Sequence, residues 1–193
     1  VEFKKKEKIS FIQNKALELS LFLSIPASVA LIIGSEQIIS ALFGYGSFNN
    51  TSVINSGSAL YYFALGLPAF ALIKVFSSFF FANHDTKTPF YISLLSVILN
   101  IFISVYYFGE IGFIIIPIAT SISSWFNAIM LFLFLKNRKL FFFNEMFFVK
   151  LIKIMIASIL MGLFFNFLLN YFQNELAFDQ NIKSFYLILS VVL

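Results

Sequence analysis

The sequence is poor in the residues that most catalytic and metal sites require. It has no cysteine and a single histidine, and only 11% of its 193 residues are charged. The lack of cysteine excludes disulfides and thiolate metal sites, and His84 has no second ligand at helical spacing. Paired carboxylates within a span, a serine–histidine–aspartate order and a phosphate-binding glycine loop are also missing. The sequence therefore argues against an enzyme and predicts no metal site and no cofactor.

Apolar residues dominate the chain. Hydrophobic residues make up 60% and aromatic residues 20% of it, whereas a soluble domain carries about 25% charged residues. Long apolar runs between short polar segments predict an all-α integral membrane protein, a polytopic bundle of about five complete transmembrane helices plus a truncated sixth. Because the last apolar run is too short to cross a bilayer, we expect a fragment of a longer protein. The predicted spans are 16–33, 58–82, 90–108, 111–135 and about 149–171, and the sixth begins at 185.

The basic residues fall on one side of this predicted topology. Eleven of the thirteen lysines and arginines lie in segments 1–15, 83–89 and 136–153. The segments on the opposite side hold only Lys183, and Lys74 lies inside a span. Because basic loops stay in the cytoplasm, we predict that the first fifteen residues are cytoplasmic. Lysines placed beside membrane spans favour contact with membrane lipids and argue against a nucleic acid partner.

One lysine lies deep in an apolar helix. Lys74 is the only charge in span 58–82, and a lysine at the membrane centre costs about 2.5–3.5 kcal/mol on insertion scales. Such a residue is a functional hypothesis by default. The alternative is a side chain that snorkels to the cytoplasmic surface, about 12 Å away. We predict a substrate cavity that contains Lys74 with Ser78, one turn away, and Asn127 of the fourth span.

Polar residues recur at helical spacing in three predicted spans. Spacings of three and four residues put each set on one helical face, which predicts an interior that is either tightly packed or wet. Small hydroxyl residues usually serve helix packing, whereas an unpaired asparagine is costlier and favours a cavity or an ion site. The sets are Ser93, Ser96, Asn100 and Ser104 in the third span, Thr120, Ser124 and Asn127 in the fourth, and Ser158, Gly162, Asn166 and Asn170 in the fifth.

Glycine, asparagine and proline mark the predicted helix ends. Residues 34–35 end the first span, and 49–52 offer an N-cap for the second helix. Gly109 and Glu110 are predicted to form the tight turn between the third and fourth spans. The 83–89 loop is expected to brace two helix ends, since its threonine–proline pair stops one helix and starts the next with fixed geometry.

The stretch from Ala64 to Pro89 resembles a known family. Its sequence, ALGLPAFALIKVFSSFFFANHDTKTP, is similar to the Y-x-x-G-L-P-x-F-x-x-x-K-V helix and the F-Y-A-x-x-D-T-x-T-P loop of the MurJ (MviN) lipid II flippases. The likeness covers about residues 15–170. Three further segments are similar to motifs of that family, namely ALELSLFLSIPASVALII, ALFGYGSFNNTSV and GFIIIPIATSISSWFNAIML.

The resemblance implies the C-terminal part of a 14-helix, two-lobe transporter of the multidrug/oligosaccharidyl-lipid/polysaccharide exporter superfamily. After a cytoplasmic basic segment, 1–15, residues 16–135 would form four helices of the C-terminal lobe. Residues 136–150 would be a cytoplasmic loop, and 151–193 an additional helix pair whose second member is truncated. The protein would lie in the bacterial inner membrane, with the N-terminus of this chain in the cytoplasm.

The resemblance also implies a function. The protein would move lipid II, an undecaprenyl-pyrophosphate-linked disaccharide peptide, across the membrane by alternating access, with the cell-wall synthesis machinery as a further partner. Coupling to Na⁺ or protons is implied too, and Ser104 stands where the family has Asn or Asp. The matching residues are Lys74 toward the anionic substrate, Asp85, Thr86, Thr88 and Pro89 in the cytoplasmic loop, and Asn100, Ser104 and Thr120 as cation ligands.

Three alternatives to this function remain open at the level of the sequence. A flippase for another lipid-linked glycan and a cation-coupled multidrug exporter belong to the same superfamily. A drug exporter should lack the cavity arginines of a flippase in its first lobe. The third alternative, from another class, is a non-transporting membrane scaffold for cell-division proteins. It predicts that replacing Lys74 by alanine leaves the function unchanged.

Overall fold

The computed structural model describes residues 2–142 and 144–172, which form a bundle of long α-helices without a strand. The prediction of an all-α fold is confirmed. The predicted sixth span and the loop before it lie outside the described residues. The helices are α1 (Glu2–Phe43), α2 (Asn50–Ala82), α3 (Lys87–Ile111), α4 (Ile115–Asn137) and α5 (Glu145–Tyr171), and a 3₁₀ turn, Gly112–Ile114, joins α3 to α4.

The helices have the length and composition to cross a membrane. Four segments of the described chain meet this criterion, and one of them, Lys87–Asn137, contains both α3 and α4. Its 51 residues would measure about 77 Å if straight, more than twice the hydrocarbon core. The amide of Asn100 in α3 donates to Thr120 in α4, so α4 runs back along α3 and the segment crosses twice. The described chain therefore supplies five crossings, as predicted.

The helices pack side by side in the order α5, α1, α2, α4, α3. Although α2 and α3 are consecutive in sequence, they barely touch, because α4 lies between them. The largest apolar core forms where α1, α2 and α4 approach the basic loops, around Leu17, Phe80 and Leu135. This order leaves an open groove along one face of α4, with α2 on one side and α3 on the other.

Glycines allow the closest helix contacts. A Cβ atom at Gly66 of α2 would lie 3.1 Å from the Cα atom of Ser121 in α4. A Cβ atom at Gly57 would lie 3.0 Å from the Cα atom of Glu36 in α1. Both neighbours are backbone atoms that cannot rotate away. The helices can therefore approach this closely only where the side chain is hydrogen, as is usual at membrane helix interfaces.

Several helix ends differ from the sequence-based predictions. The first span does not end at Gly34, where the backbone departs from helical values (φ −105°, ψ 18°), but kinks and continues to Phe43. The turn predicted at 109–110 lies instead at Gly112, whose φ of +75° suits glycine. At Asn49 the predicted cap is confirmed, because its side chain accepts a hydrogen bond from the Ser52 amide, 2.8 Å away.

The polar stripe predicted for α5 does not join those of α3 and α4. Ser158 and Gly162 are buried, and Gly162 packs against Val29 of α1, but Asn166 and Asn170 are exposed. Each step of four residues turns the stripe by roughly 40°, so after three steps it has left the packed face. In α3 and α4 the polar residues are spaced by both three and four positions. Because these two steps turn in opposite directions, each stripe stays on one face.

Candidate functional site

The polar stripes of α3 and α4 meet in the groove above α4. Its volume is about 390 Å³, within the usual range for ligand sites of about 300–1,000 Å³. Phe70 and Ile73 of α2 form the apolar wall. The polar lining residues are Ser93, Ser96 and Asn100 of α3 and Thr120, Ser123, Ser124 and Asn127 of α4.

Asn100 joins the two helices near the middle of α3. Its Nδ2 atom donates to Thr120 Oγ1 at 3.1 Å and to Ser123 Oγ at 3.2 Å. Its Oδ1 atom accepts from Ser104 Oγ at 3.5 Å. The structure therefore brings together Asn100, Ser104 and Thr120, the three residues that the resemblance matched to a cation site.

As arranged, these three side chains do not fit a cation. Asn100 turns its N–H groups, not its oxygen, toward Thr120, and a cation such as Na⁺ needs oxygen ligands. The Thr120 hydroxyl donates to the Ile116 carbonyl, 2.8 Å away, and none of the three carries a charge. Across the described ranges, no group of three or more histidine, cysteine, aspartate or glutamate side chains lies close enough to hold a metal.

Asn127 lies deeper in the same groove. The residue is only 7% exposed, and its Nδ2 atom donates to Ser93 Oγ at 3.4 Å. Its Oδ1 atom is buried without a hydrogen-bond partner among the described residues. Because a buried carbonyl oxygen without a donor costs about 1–3 kcal/mol, this atom marks a place where a donor is missing.

Lys74 and Ser78 do not line the groove with Asn127, although the sequence predicted one cavity for all three. Both side chains are exposed, and the Ser78 hydroxyl donates to the Lys74 carbonyl, 2.8 Å away in its own helix. The ammonium group of Lys74 has no hydrogen-bond or ion-pair partner among the described residues. Because Lys74 lies four residues after Phe70, it starts from nearly the same angle around α2 as that residue of the groove wall.

Three segments that carried the resemblance meet around Pro68, which lies inside α2. Proline has no N–H, so the Ala64 carbonyl loses its helical partner and accepts from Ser28 Oγ of α1 at 2.6 Å. The neighbouring carbonyl of Leu65 accepts from the Trp125 indole at 3.0 Å. Ser121 Oγ donates to the Tyr62 carbonyl at 2.5 Å. At this point α2 is therefore held by side chains from α1 and α4 that the sequence alone did not assign to it.

The predicted cytoplasmic loop forms a cap on α3. Asp85 accepts from the Thr88 amide at 3.0 Å and from the Thr88 hydroxyl at 2.7 Å. Arg138, at the end of α4, donates to Asp85 Oδ2 and, at 3.0 Å, to Thr88 Oγ1. Pro89 is buried, whereas Thr86 makes no side-chain cap bond. The loop therefore braces α2 and α3. It also binds α4 through Arg138, which the sequence alone indicated only as one of the basic residues on the cytoplasmic side.

A second set of polar contacts ties α1 to the connection between α4 and α5. Asn14 Nδ2 donates to the Phe142 carbonyl at 2.8 Å, and Asn14 Oδ1 accepts from the Asn144 amide at 3.1 Å. Lys150 Nζ lies 2.9 Å from Glu18 Oε2. The first fifteen residues, predicted only as a basic and polar segment, belong to α1 from Glu2 onward, and these contacts hold that helix against the connection.

We expect Thr88 to control the acidity of Asp85. The Thr88 hydroxyl and amide, followed by Arg138, lower the pKa of Asp85 from 3.8 to about 2. Because the folded pKa is depressed, the stabilisation is present above pH 3.8 and is lost as the pH falls through about 2. Thr88→Val should raise the pKa of Asp85 toward 3.8, and Arg138→Gln should raise it less. Carbon-13 NMR titration of the Asp85 carboxyl group in detergent measures both.

The matched control for this titration is Thr86→Val. Thr86 precedes α3 in the same loop but makes no side-chain cap bond, so its loss should leave the pKa of Asp85 unchanged. An Asp85 pKa that stays near 2 in Thr88→Val would contradict the assignment of Thr88 as the main cause.

The known proteins to which this chain is similar carry the same family name. A family model for the lipid II flippase MurJ matches residues 2–187. A "Probable lipid II flippase MurJ" of Rhizobium meliloti is 40% identical over 121 residues, 63% of this chain and 23% of that protein. The protein of the same name from Thermotoga maritima is 38% identical over 143 residues, 74% of this chain and 28% of that protein. The chain thus spans about a quarter of the length of these relatives.

A solved structure shows the same fold. The structure described as "Lipid II flippase MurJ, inward closed conformation" matches with a TM-score of 0.76. The match covers 98% of this chain and 38% of that protein, at 23% sequence identity. At this identity the likeness supports the arrangement of the helices and carries no residue role.

Proposed function

We propose, from the premise that this chain belongs to the MurJ lipid II flippase family, that the whole protein moves lipid II across the bacterial inner membrane. The observation that carries the proposal is the family match over residues 2–187. The cargo is a disaccharide peptide on undecaprenyl pyrophosphate, and the family assignment makes the protein a transporter, not an enzyme. The basic segments, which include residues 8–15, would face the cytoplasm.

The structure gives this proposal a physical basis. Polar side chains between membrane helices are expensive in lipid unless they find a polar partner, and the groove brings seven of them together. Substrate sites of transporters lie near the bilayer midplane, between elements that rock against each other. Lys74, exposed beside the groove, supplies a positive charge toward the pyrophosphate. Coupling to Na⁺ or protons, and contact with the cell-wall synthesis machinery, stay predictions.

Transport by the full-length protein in vesicles tests the proposal. Proteoliposomes would carry fluorescent lipid II in both leaflets, and a membrane-impermeant quencher would report the outer leaflet. We expect lipid II to exchange between leaflets with protein and to remain trapped in protein-free vesicles. The matched cargo is an undecaprenyl-pyrophosphate glycan with a different sugar.

Each other outcome of this assay points to a named alternative. Equal movement of both cargoes would favour a general flippase for lipid-linked glycans. Extrusion of a cationic dye, with lipid II static, would favour a drug exporter. The third outcome is that no cargo moves, while a strain that makes a transport-inactive form of the protein grows normally. This outcome would favour a scaffold.

A further inference from the structure

The first helix, α1, bends at a glycine that faces α5. The backbone of Gly34 departs from helical values, although the helix continues to Phe43. Sharp bends in helices have identifiable causes, namely proline, glycine or a side chain inserted against the backbone. The proline of this helix, Pro26, lies about two turns earlier. The cause of the bend therefore has to be sought at Gly34 itself and in what touches it.

The ring of Phe165 in α5 occupies the space that a side chain at Gly34 would need. A Cβ atom at Gly34 would lie 2.8 Å from Cε1 and 2.9 Å from Cζ of Phe165. Phe165 is only 5% exposed, and it packs in one apolar cluster with Ala41 and Leu169, so its ring has little room to rotate away. The tip of the ring is thus wedged against the backbone of α1 where that helix bends.

Close contacts on both sides of the bend hold α1 against α5. Before the bend, a Cβ atom at Gly162 of α5 would lie 2.6 Å from Val29 Cγ1 and 2.9 Å from Ile33 Cδ1. After the bend, Ala41 is buried in the cluster that contains Phe165. Because the two helices touch before, at and after the bend, a shift of α5 acts directly on the α1 segment 35–43.

The segment after the bend also contacts α2. A Cβ atom at Gly57 of α2 would lie 3.0 Å from the Cα atom of Glu36, and residues 44–49 connect the segment to the start of α2. Segment 35–43 therefore lies between α5 and α2 and touches both. A change in its direction reaches the helix that forms the apolar wall of the groove.

We propose that Phe165 is a wedge through which the position of α5 sets the bend of α1 at Gly34. The tip of the ring holds the glycine backbone away from helical values, which glycine accepts because it gains less from a regular helix than any residue except proline. Segment 35–43 carries the change to the start of α2. This conformational device binds no ligand, and it does not depend on the cargo named in the proposed function.

Distances between spin labels in the full-length protein test the wedge. Leu42→Cys near the end of α1 and Val105→Cys in α3 place nitroxides on two exposed positions, in a background without other cysteines. Phe165→Leu removes the ring atoms Cε1 and Cζ but leaves an apolar side chain. We expect it to shift the distance between the labels by about 4 Å, because a change of about 20° at Gly34 moves a point about 12 Å further along the helix by that much. Pulsed electron–electron double resonance measures the shift.

Two controls separate a change of bend from other effects. Phe164→Leu alters the neighbouring, exposed phenylalanine and should leave the distance unchanged. A label at Leu23→Cys, before the bend, should keep its distance to Val105→Cys in the Phe165→Leu protein. An unchanged Leu42 distance in Phe165→Leu would show that α1 bends by itself, and an equal shift at Leu23 would show that the helix moves as a whole. Either result would overturn the proposal.

Gly34→Ala keeps the test informative if Phe165→Leu does not fold. The added Cβ atom meets a buried ring, so we expect the label at Leu42→Cys to shift and the melting temperature to fall. In the Phe165→Leu background the same substitution should instead raise the melting temperature, since alanine favours a helix over glycine. If Gly34→Ala alone changes neither the distance nor the melting temperature, the ring is not a wedge and the proposal fails.

Discussion

Replacing Gly66 by valine is expected to lower the free energy of unfolding by about 3 kcal/mol, near the upper end for an overpacked site. A Cβ atom at Gly66 would lie 2.8 Å from Ser121 Oγ and 3.1 Å from Ser121 Cα. Because Cα belongs to the backbone of α4, the two helices must move apart. That movement also lengthens the bonds from Ser121 to the Tyr62 carbonyl and from Trp125 to the Leu65 carbonyl.

Thermal unfolding of the full-length protein in detergent measures this effect. Gly109→Val is the matched control, since no atom lies within 4 Å of the Cβ position there and the residue is also in an apolar helix. Combining Gly66→Val with Ser121→Gly should restore part of the stability, because the serine hydroxyl is the nearest of the three atoms in the way. Equal losses for Gly66→Val and Gly109→Val would refute the close-contact explanation.

Replacing Lys74 by alanine is expected to reduce lipid II transport ten- to a hundredfold at low substrate concentration, with normal membrane insertion. Two opposite charges 4 Å apart near a protein surface attract each other by about 4 kcal/mol at an effective dielectric constant of 20. Loss of even a third to two thirds of that attraction changes affinity by about this factor. Lys74 is exposed and unpaired among the described residues, so its ammonium group is available to an anion.

The same vesicle assay measures this prediction against two other variants. Lys153→Ala removes a second exposed lysine, in α5 near the basic loops, and should leave transport unchanged. Lys74→Arg keeps the charge and should retain most of the activity. If Lys74→Ala transports as well as the unmodified protein, Lys74 has no part in the mechanism, and a snorkelling side chain explains its position.

Periodicity predicted the parts of the structure that depend on one helix at a time. The spans follow from apolar length, and the facing of α3 and α4 follows from spacings that bring Ser93 and Ser104, or Thr120 and Asn127, back to the same angle. The same reasoning failed for α5 because four-residue steps drift, and this drift was visible in the sequence. Adding about 100° per residue along the helix, and not only noting four-residue spacings, would have placed Ser158 and Asn170 on different faces.

Contacts between distant segments could not be predicted in the same way. Arg138 lies 53 residues from Asp85, and nothing in the local sequence around either residue indicates that the two are in contact. The turn after α3 was predicted at Gly109, but it lies at Gly112, and the local sequence does not distinguish the two glycines. Whether Lys74 faces the groove or lies beside it also depends on how far α2 stands from α3.

The polar contacts near the basic loops have a mechanical consequence. Asp85 and Arg138 join the ends of α2, α3 and α4, while Asn14 and Glu18 join α1 to the start of α5 and the chain before it. Polar contacts therefore tie each of the five helices to a neighbouring part of the chain at this end. None of them can tilt there alone without breaking an ion pair or a hydrogen bond. Bending is easier beyond this end, at Gly34, where the backbone of α1 already departs from helical values, and at Pro68, where α2 lacks one backbone hydrogen bond.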